Sequence, residues 1–303
     1  MNITIWQTIL LALLQGVTEL FPISSLGHTV ILPGLLPQIF PPGFATNTAC
    51  GGQSCFLPIV VALHLGTSIA LVIYFWRDWL QVLLTIFNSV KRGGIKKDSE
   101  EWVGWLIIIG CVPGGLLGVA LQEPLTKLFG SPIIAAAFLV VNGSLLLAGE
   151  ALRRRAEAKM TFSNAKEREA RFRPLVSLTW KEAIVVGCFQ ALALIPGISR
   201  SGATMVGGLG VRLSHEDAAR YSFLLGTPLI FAAGVLEVPQ LIGQSASTWM
   251  LIIIGVVLSG VAAFLSTKFL TKYFEKGRLT PFAVYCWIFG LVALGALILM
   301  HAG

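Results

Sequence analysis

Charge is what this chain has least of. Only 12% of its 303 residues are Asp, Glu, Lys or Arg, against 55% hydrophobic and a mean hydropathy of +0.80. No soluble domain of this size needs so much apolar surface, so the scarcity sets aside a soluble protein in favour of an integral membrane protein. The N-terminus also lacks a charged region followed by a cleavage-site pattern, so no removable signal peptide is expected. Cysteine is sparse, with five residues. Cys111, Cys188 and Cys286 fall in apolar helices and read as packing residues. Cys50 and Cys55 share a Gly- and Asn-containing loop predicted to be external, where an oxidising compartment permits a disulfide. With no His or second Cys pair beside them, they do not read as a metal site. Proline and glycine are not scarce: 14 Pro and 32 Gly, many inside apolar stretches, predict broken helices. At membrane depth such breaks are tolerated where they line a cavity or are buried in protein.

A helix needs about 20 residues to cross a hydrocarbon core of about 30 Å. Six segments reach that length: 57–76, 102–121, 131–150, 220–238, 248–267 and 281–301. The run from Trp6 to Phe21 is shorter and stops at Pro22, and Val30 to Phe40 is shorter still. Residues 4–40 therefore read as a re-entrant hairpin that enters and leaves by one face. A second hairpin, 181–212, breaks in the same way at Pro196-Gly197. Each half is one hairpin followed by three crossings, and because three is odd the second half is inverted. The expected fold is an all-α polytopic membrane protein, six transmembrane helices plus two re-entrant hairpins as an inverted repeat. It forms a single membrane domain, halves 1–150 and 179–303, joined by a basic linker 151–178.

The net charge of +7 would suggest nucleic acid in a soluble protein, but its distribution excludes that. Twenty of the 22 Lys and Arg fall on one side of this topology, in 77–101, 153–181, 212–220 and 268–278. Lys127 lies on the other side and Arg200 in the second hairpin tip. Basic residues mark the cytoplasmic face, so both termini are expected to face away from the cytoplasm, with the linker a solvated cytoplasmic segment.

The duplication can be read directly. Gln15-Gly-Val-Thr-Glu-Leu-Phe-Pro-Ile-Ser-Ser-Leu-Gly-His-Thr29 lies over Gln190-Ala-Leu-Ala-Leu-Ile-Pro-Gly-Ile-Ser-Arg-Ser-Gly-Ala-Thr204 at an offset of 175. Gln, Ile, Ser, Gly and Thr recur at five places. Leu65-Gly-Thr67 pairs with Leu225-Gly-Thr227, and Leu106-Ile-Ile-Ile-Gly110 with Leu251-Ile-Ile-Ile-Gly255. Between the shared positions the chemistry diverges: the first copy carries Glu19, Ser25 and His28 where the second has Leu194, Arg200 and Ala203. Complementary groups on a duplicated frame predict one composite site built from both tips.

Gln15 and Glu19, spaced i, i+4, project from one helix face, and an ionisable Glu in an apolar run is a functional candidate by default. Pro22 ends the helix, Ser24 can cap the next, and Gly27 lets backbone approach a ligand. The helix start there offers N–H groups and a positive dipole end to a phosphate. Arg200 suits bidentate phosphate contact, and Ser199, Ser201 and Thr204 supply hydroxyl donors around it, with Gly202 in the same tip. An ion pair between Arg200 and Glu19 fits a resting enzyme. His64 and Glu150 lie on spans and read as structural; Glu237, Glu123 and His301, near the interfaces, carry little signal.

These two motifs, Gln15-Gly-Val-Thr-Glu19 with Pro22-Ile-Ser-Ser-Leu-Gly-His28, and Pro196-Gly-Ile-Ser-Arg-Ser-Gly-Ala-Thr204, resemble those of the undecaprenyl-diphosphatase, or bacitracin-resistance, family along nearly the whole chain. The family's (Glu/Gln)-x-x-x-Glu pattern falls on Gln15 and Glu19, its Pro-Gly-x-Ser-Arg-Ser-x-x-Thr pattern on 196–204, and its active-site serine and histidine on Ser25 and His28. The Cys pair in loop 41–56 and the long basic linker depart from the pattern without touching the motifs. The resemblance implies hydrolysis of undecaprenyl diphosphate, a lipid carrier of cell-wall polymers, in the bacterial inner membrane, with bacitracin resistance. It also implies a divalent cation, Mg or Ca, with Gln15 and Glu19 as ligands. The site is expected to open away from the cytoplasm.

On that expectation Arg200, Ser24, Ser199, Ser201, Gly202 and Thr204 hold the diphosphate, and Ser25 attacks while Glu19 or His28 takes its proton. Direct attack by water with His28 as base is the competing route. A lipid-phosphate transporter is the rival class, since inverted repeats with broken helices are its usual plan. A pure transporter would not need Ser25, His28 and Glu19 converging on an arginine. A phosphatidic-acid-phosphatase-like enzyme is rejected, because the next His after Ser199-Arg200, His215 with Asp217, has the wrong spacing. A scaffold would have no reason to bury Arg200. The partners are the polyprenyl diphosphate and the bilayer; oligomeric state, a homodimer included, stays open.

Overall fold

The computed structural model describes residues 3–40, 56–97, 99–121, 128, 131–158 and 172–302, and among them all regular secondary structure is helical. Cys50, Cys55, Glu123, Lys127, the side chain of His301 and residues 159–171 of the linker lie outside the described residues. Helices α1 (Ile5–Thr18) and α2 (Ser25–Leu35) form the first hairpin. Then come α3 (Phe56–Tyr74), α4 (Trp76–Arg92), α5 (Glu100–Ala120) and α6 (Pro132–Glu157). The second hairpin is α7 (Trp180–Ala191) and α8 (Arg200–Gly210), followed by α9 (His215–Glu237), α10 (Ala246–Phe274) and α11 (Thr280–Ala302).

Among the described residues, five helices are long and apolar enough to cross a membrane: α5, α6, α9 with its short 3-10 extension, α10 and α11. A sixth span is α3, if it is counted together with α4, from which it is bent by 82°. The four hairpin helices, 11 to 14 residues each, are too short to span. Both hairpins begin alike. Thr4 caps α1 in a reciprocal box with Gln7, and Thr179 caps α7 in the same box with Glu182; each satisfies two N–H groups that a helix start leaves open. The positions differ by 175, so the sequence duplication extends to the caps.

Packing repeats as well. Helix α1 lies on α10, as α7 lies on α5; α3 packs on α9, and α6 on α11. The first hairpin closes at its base where Gln7 Nε2 donates to Ile39 O at 2.7 Å, the second where Arg173 N donates to Arg212 O at 3.1 Å. Because lipid gives helices no hydrophobic reason to associate, small residues let backbones approach: Gly66 rests on Val256 and Gly260, and Gly187 on Gly110.

One end of the bundle is tied by ions. Arg220 pairs with Asp78 and Glu100, Arg92 with Glu101, and Arg173 with Glu182. At the same end Glu150, buried on α6, accepts from His215 Nε2 (3.1 Å), Arg278 Nη1 (3.2 Å) and Leu279 N (3.1 Å). A buried carboxylate holds its charge only with such compensation. This bears out the structural reading of Glu150, which serves to join the end of α6 to the starts of α9 and α11.

The stretch 77–101, expected as a loop on the strength of its charges, is largely helical. In α4 the side chains of Trp76, Leu80, Leu83, Leu84, Phe87 and Val90 recur at helical spacing and are all exposed. With their charged neighbours they make α4 amphipathic, the pattern of a helix suited to a membrane surface. Helix α6 also runs past the expected boundary at 150, to Glu157, held by the fully buried Arg153, which donates to Glu157 (3.1 Å) and Leu213 O (2.9 Å).

Candidate active site

The two hairpin tips meet inside the bundle. Ser199 Oγ and Ser201 Oγ both donate to Phe21 O, at 3.4 and 3.1 Å. Gly27 and Gly197 approach so closely that a Cβ on Gly27 would stand 3.1 Å from Gly197 Cα. Gly197 itself turns at φ 100°, a conformation that favours glycine, against the backbone of Ala135 and Leu139. Asn142, deep in α6, clamps both tips: its Nδ2 donates to Pro22 O (3.0 Å) and its Oδ1 accepts from Ser199 N (3.0 Å).

Glu19, 6% exposed, is the hub. Its Oε1 accepts from Arg200 Nε (3.2 Å) and Nη2 (3.1 Å). Its Oε2 accepts from Ser25 Oγ and from Gln15 Nε2 (3.1 Å). An acid from the first tip and a guanidinium from the second thus form one buried cluster with a serine hydroxyl. The remaining Arg200 nitrogen, Nη1, donates to Ser222 O at 3.2 Å and lies over Gly226 of α9, where any Cβ would collide with it. Gly226→Ala is therefore expected to displace the guanidinium and to lower turnover by about 10²-fold, the cost of an ångström's misplacement, in a chain that still purifies as a folded species. Phosphate release at the wild-type rate would show that this seat is not needed.

Other residues expected in the site serve the tips' own architecture. Ser24 caps α2 through Gly27 N (3.2 Å) and Ser199 caps α8 through Gly202 N (3.1 Å); Thr204 Oγ1 donates to Arg200 O (2.7 Å). Ser24 adopts φ 69° without being glycine, a backbone strain that surrounding structure must hold; it lies directly before Ser25. His28 is not turned toward Glu19. Its Nδ1 faces Ser24 O (2.7 Å), its Nε2 faces Tyr285 OH (2.9 Å), and its ring stacks with Phe289. With Nδ1–H donated to the carbonyl, Nε2 accepts the tyrosine hydroxyl.

The histidine that does reach the hub is His64, whose Nε2 is 3.3 Å from Glu19 Oε2. From sequence alone its position on a span reads as structural. Asn142, Tyr285, Ser222 and Gly226 were also unanticipated as parts of the site. Of these only Asn142 gave a usable signal, an amide inside an apolar run.

A divalent cation prefers oxygen ligands, and Mg in particular is held by one or two carboxylates together with substrate phosphates. Among the described residues no three His, Cys, Asp or Glu side chains cluster as a metal cage. Gln15 Oε1, however, is buried without a hydrogen-bond partner beside Glu19. These two residues fit a cation that takes its remaining ligands from a diphosphate.

The model for the bacitracin resistance protein BacA matches residues 8–292. An undecaprenyl-diphosphatase of Mycolicibacterium paratuberculosis is 42% identical over 295 residues, 95% of either chain. One from Acidiphilium cryptum is 42% identical over 292 residues, covering 94% of this chain and 95% of its own. Undecaprenyl-diphosphatase 2 of Frankia alni is 39% identical over 333 aligned positions, 95% and 96% of the two chains.

Proposed function

The chain belongs to the family of the bacitracin resistance protein BacA, and we propose that it acts at the Glu19–Ser25–Arg200 cluster. It is a multi-pass membrane enzyme that hydrolyses undecaprenyl diphosphate to undecaprenyl phosphate and inorganic phosphate, recycling a lipid carrier for cell-wall synthesis and conferring bacitracin resistance. The observation that carries the site is the Ser25 hydroxyl donating to a carboxylate whose other oxygen is held by Arg200 from the opposite hairpin.

The diphosphate draws Arg200 from Glu19, and the guanidinium then neutralises charge gathering on the terminal phosphoryl group. Glu19, freed of the guanidinium, takes the Ser25 proton as Oγ attacks the terminal phosphorus. The bond to the bridging oxygen breaks and undecaprenyl phosphate leaves. Water then cleaves the seryl phosphate, releasing phosphate and returning the hydroxyl. His28 serves this second step, its Nε2 accepting from water in place of Tyr285. Ser24, Ser199, Ser201, Gly202 and Thr204 hold the two tips at the spacing the diphosphate needs and receive its oxygens. A Mg or Ca ion held by Gln15 and Glu19 would neutralise diphosphate charge.

The enzyme works in the bacterial inner membrane as halves 1–150 and 179–303, with both termini and the site's opening away from the cytoplasm. Both tips come from one chain, so a homodimer is compatible with the reading but not required by it. Purified protein given undecaprenyl diphosphate in detergent is expected to release phosphate, whereas lipid flipping in vesicles without phosphate release would identify a transporter instead.

A further inference from the structure

In the mechanism above, Arg200 is drawn away from Glu19 by the diphosphate. In the structure it supplies both hydrogen bonds to Glu19 Oε1, and these are lost once the guanidinium turns to a phosphate. Something else must then keep the carboxylate aimed at Ser25, because a general base works only from hydrogen-bond distance of its proton. The candidates among the chain's own side chains are the groups on the other oxygen, Oε2: Gln15 Nε2 at 3.1 Å and His64 Nε2 at 3.3 Å.

Gln15 stands on the same helix as Glu19, one turn before it, and its flexible amide fixes little by itself. His64 approaches from a separate element. Helix α3 packs chiefly on α10 and α9, and less on α1, so its backbone is held mainly by helices outside the hairpin. The ring is mostly buried, 14% exposed, and its second nitrogen, Nδ1, faces Val60 O at 3.0 Å. That contact to the preceding turn fixes the ring plane, as the outer partner of a working histidine commonly does. Val60 O and Glu19 Oε2 are both acceptors, and a ring with a proton on each nitrogen donates to both, so it faces the carboxylate as a donor from a rigid span.

We propose that His64 is a positioning residue for the diphosphatase reaction, donating from Nε2 to Glu19 Oε2 so that the carboxylate stays on Ser25 when Arg200 moves to the substrate. The proposal rests on the reading of Glu19 and Ser25 given above. It asks of His64 a hydrogen bond and a fixed direction, with no change of its charge during the reaction.

Two variants test it. His64→Ala removes the donor and leaves Glu19 free to turn; kcat is expected to fall by about 10²-fold, the scale of a lost ångström of alignment, with KM within about threefold of wild type, since no group on the diphosphate is lost. His64→Gln keeps a donor of similar reach and is expected to restore kcat to within about fivefold of wild type. Size-exclusion profile and melting temperature in detergent are read on both. Wild-type kcat in His64→Ala overturns the proposal. So does a His64→Gln enzyme no better than His64→Ala, or a loss confined to KM. The parent reading fails differently: wild-type protein would release no phosphate at all.

Discussion

Arg200→Ala is expected to release phosphate from undecaprenyl diphosphate at least about 10³-fold more slowly than wild type, the scale on which removal of an arginine from a phosphoryl-transfer site acts. Tenfold in rate is about 1.4 kcal/mol, so this asks about 4 kcal/mol of one side chain. That is reasonable for a guanidinium enclosed among helices: its nitrogens are held beside Ser25, two on Glu19 and one on Ser222 O, so a local turn brings the charge to the phosphoryl group. The substitution also leaves Glu19 buried without its guanidinium, which costs stability. Glu19→Gln combined with Arg200→Ala isolates the stability cost, because it removes the buried charge and should recover melting temperature; its turnover stays lost with the base. Arg200→Lys is expected to fall between, keeping charge but losing the planar fork that spans Glu19 and Ser222. Turnover by Arg200→Ala at the wild-type rate would remove the arginine from the mechanism.

The hairpins were legible because their breaks are local. Pro22 and Pro196-Gly197 stop helices that are too short to cross, and the structure ends α1 at Thr18 and starts α8 at Arg200. The bringing together of Glu19 and Arg200 was legible for another reason: two copies of one frame, with opposite charges at non-equivalent places, make chemical sense only if they meet. What stayed hidden is tertiary or is masked by flanking charge. His64 lies 45 positions from Glu19 in a span with no local hint of that neighbour, and Tyr285 reaches His28 across 257 positions. Helix α4 carried its apolar stripe in plain order, but Arg77, Asp78, Lys91 and Arg92 at its ends make it read as a charged loop. Glu150 shows the converse: read as structural, it does sit in an ion cluster away from the tips.

Ser25→Ala decides between a covalent route and direct attack by water. If the serine is the nucleophile, the variant is expected to lose about 10³-fold or more in phosphate release, since an activated nucleophile and the split barrier it provides are both removed. KM should hold, because Arg200 and the second tip are untouched. Wild-type enzyme quenched in acid during turnover is expected to carry phosphate on residue 25, detectable by mass spectrometry of the digested chain. Glu19→Gln should suppress formation of that adduct, because the amide cannot take the proton that Ser25 Oγ now donates to Oε2. The geometry favours this route over water activated by His28: the serine hydroxyl is already on the carboxylate, while both nitrogens of His28 are engaged elsewhere, with Ser24 O and Tyr285. Ser25→Ala within tenfold of wild type, with no adduct in the parent enzyme, would transfer the attack to water and leave Ser25 as a hydrogen-bond partner that orients Glu19.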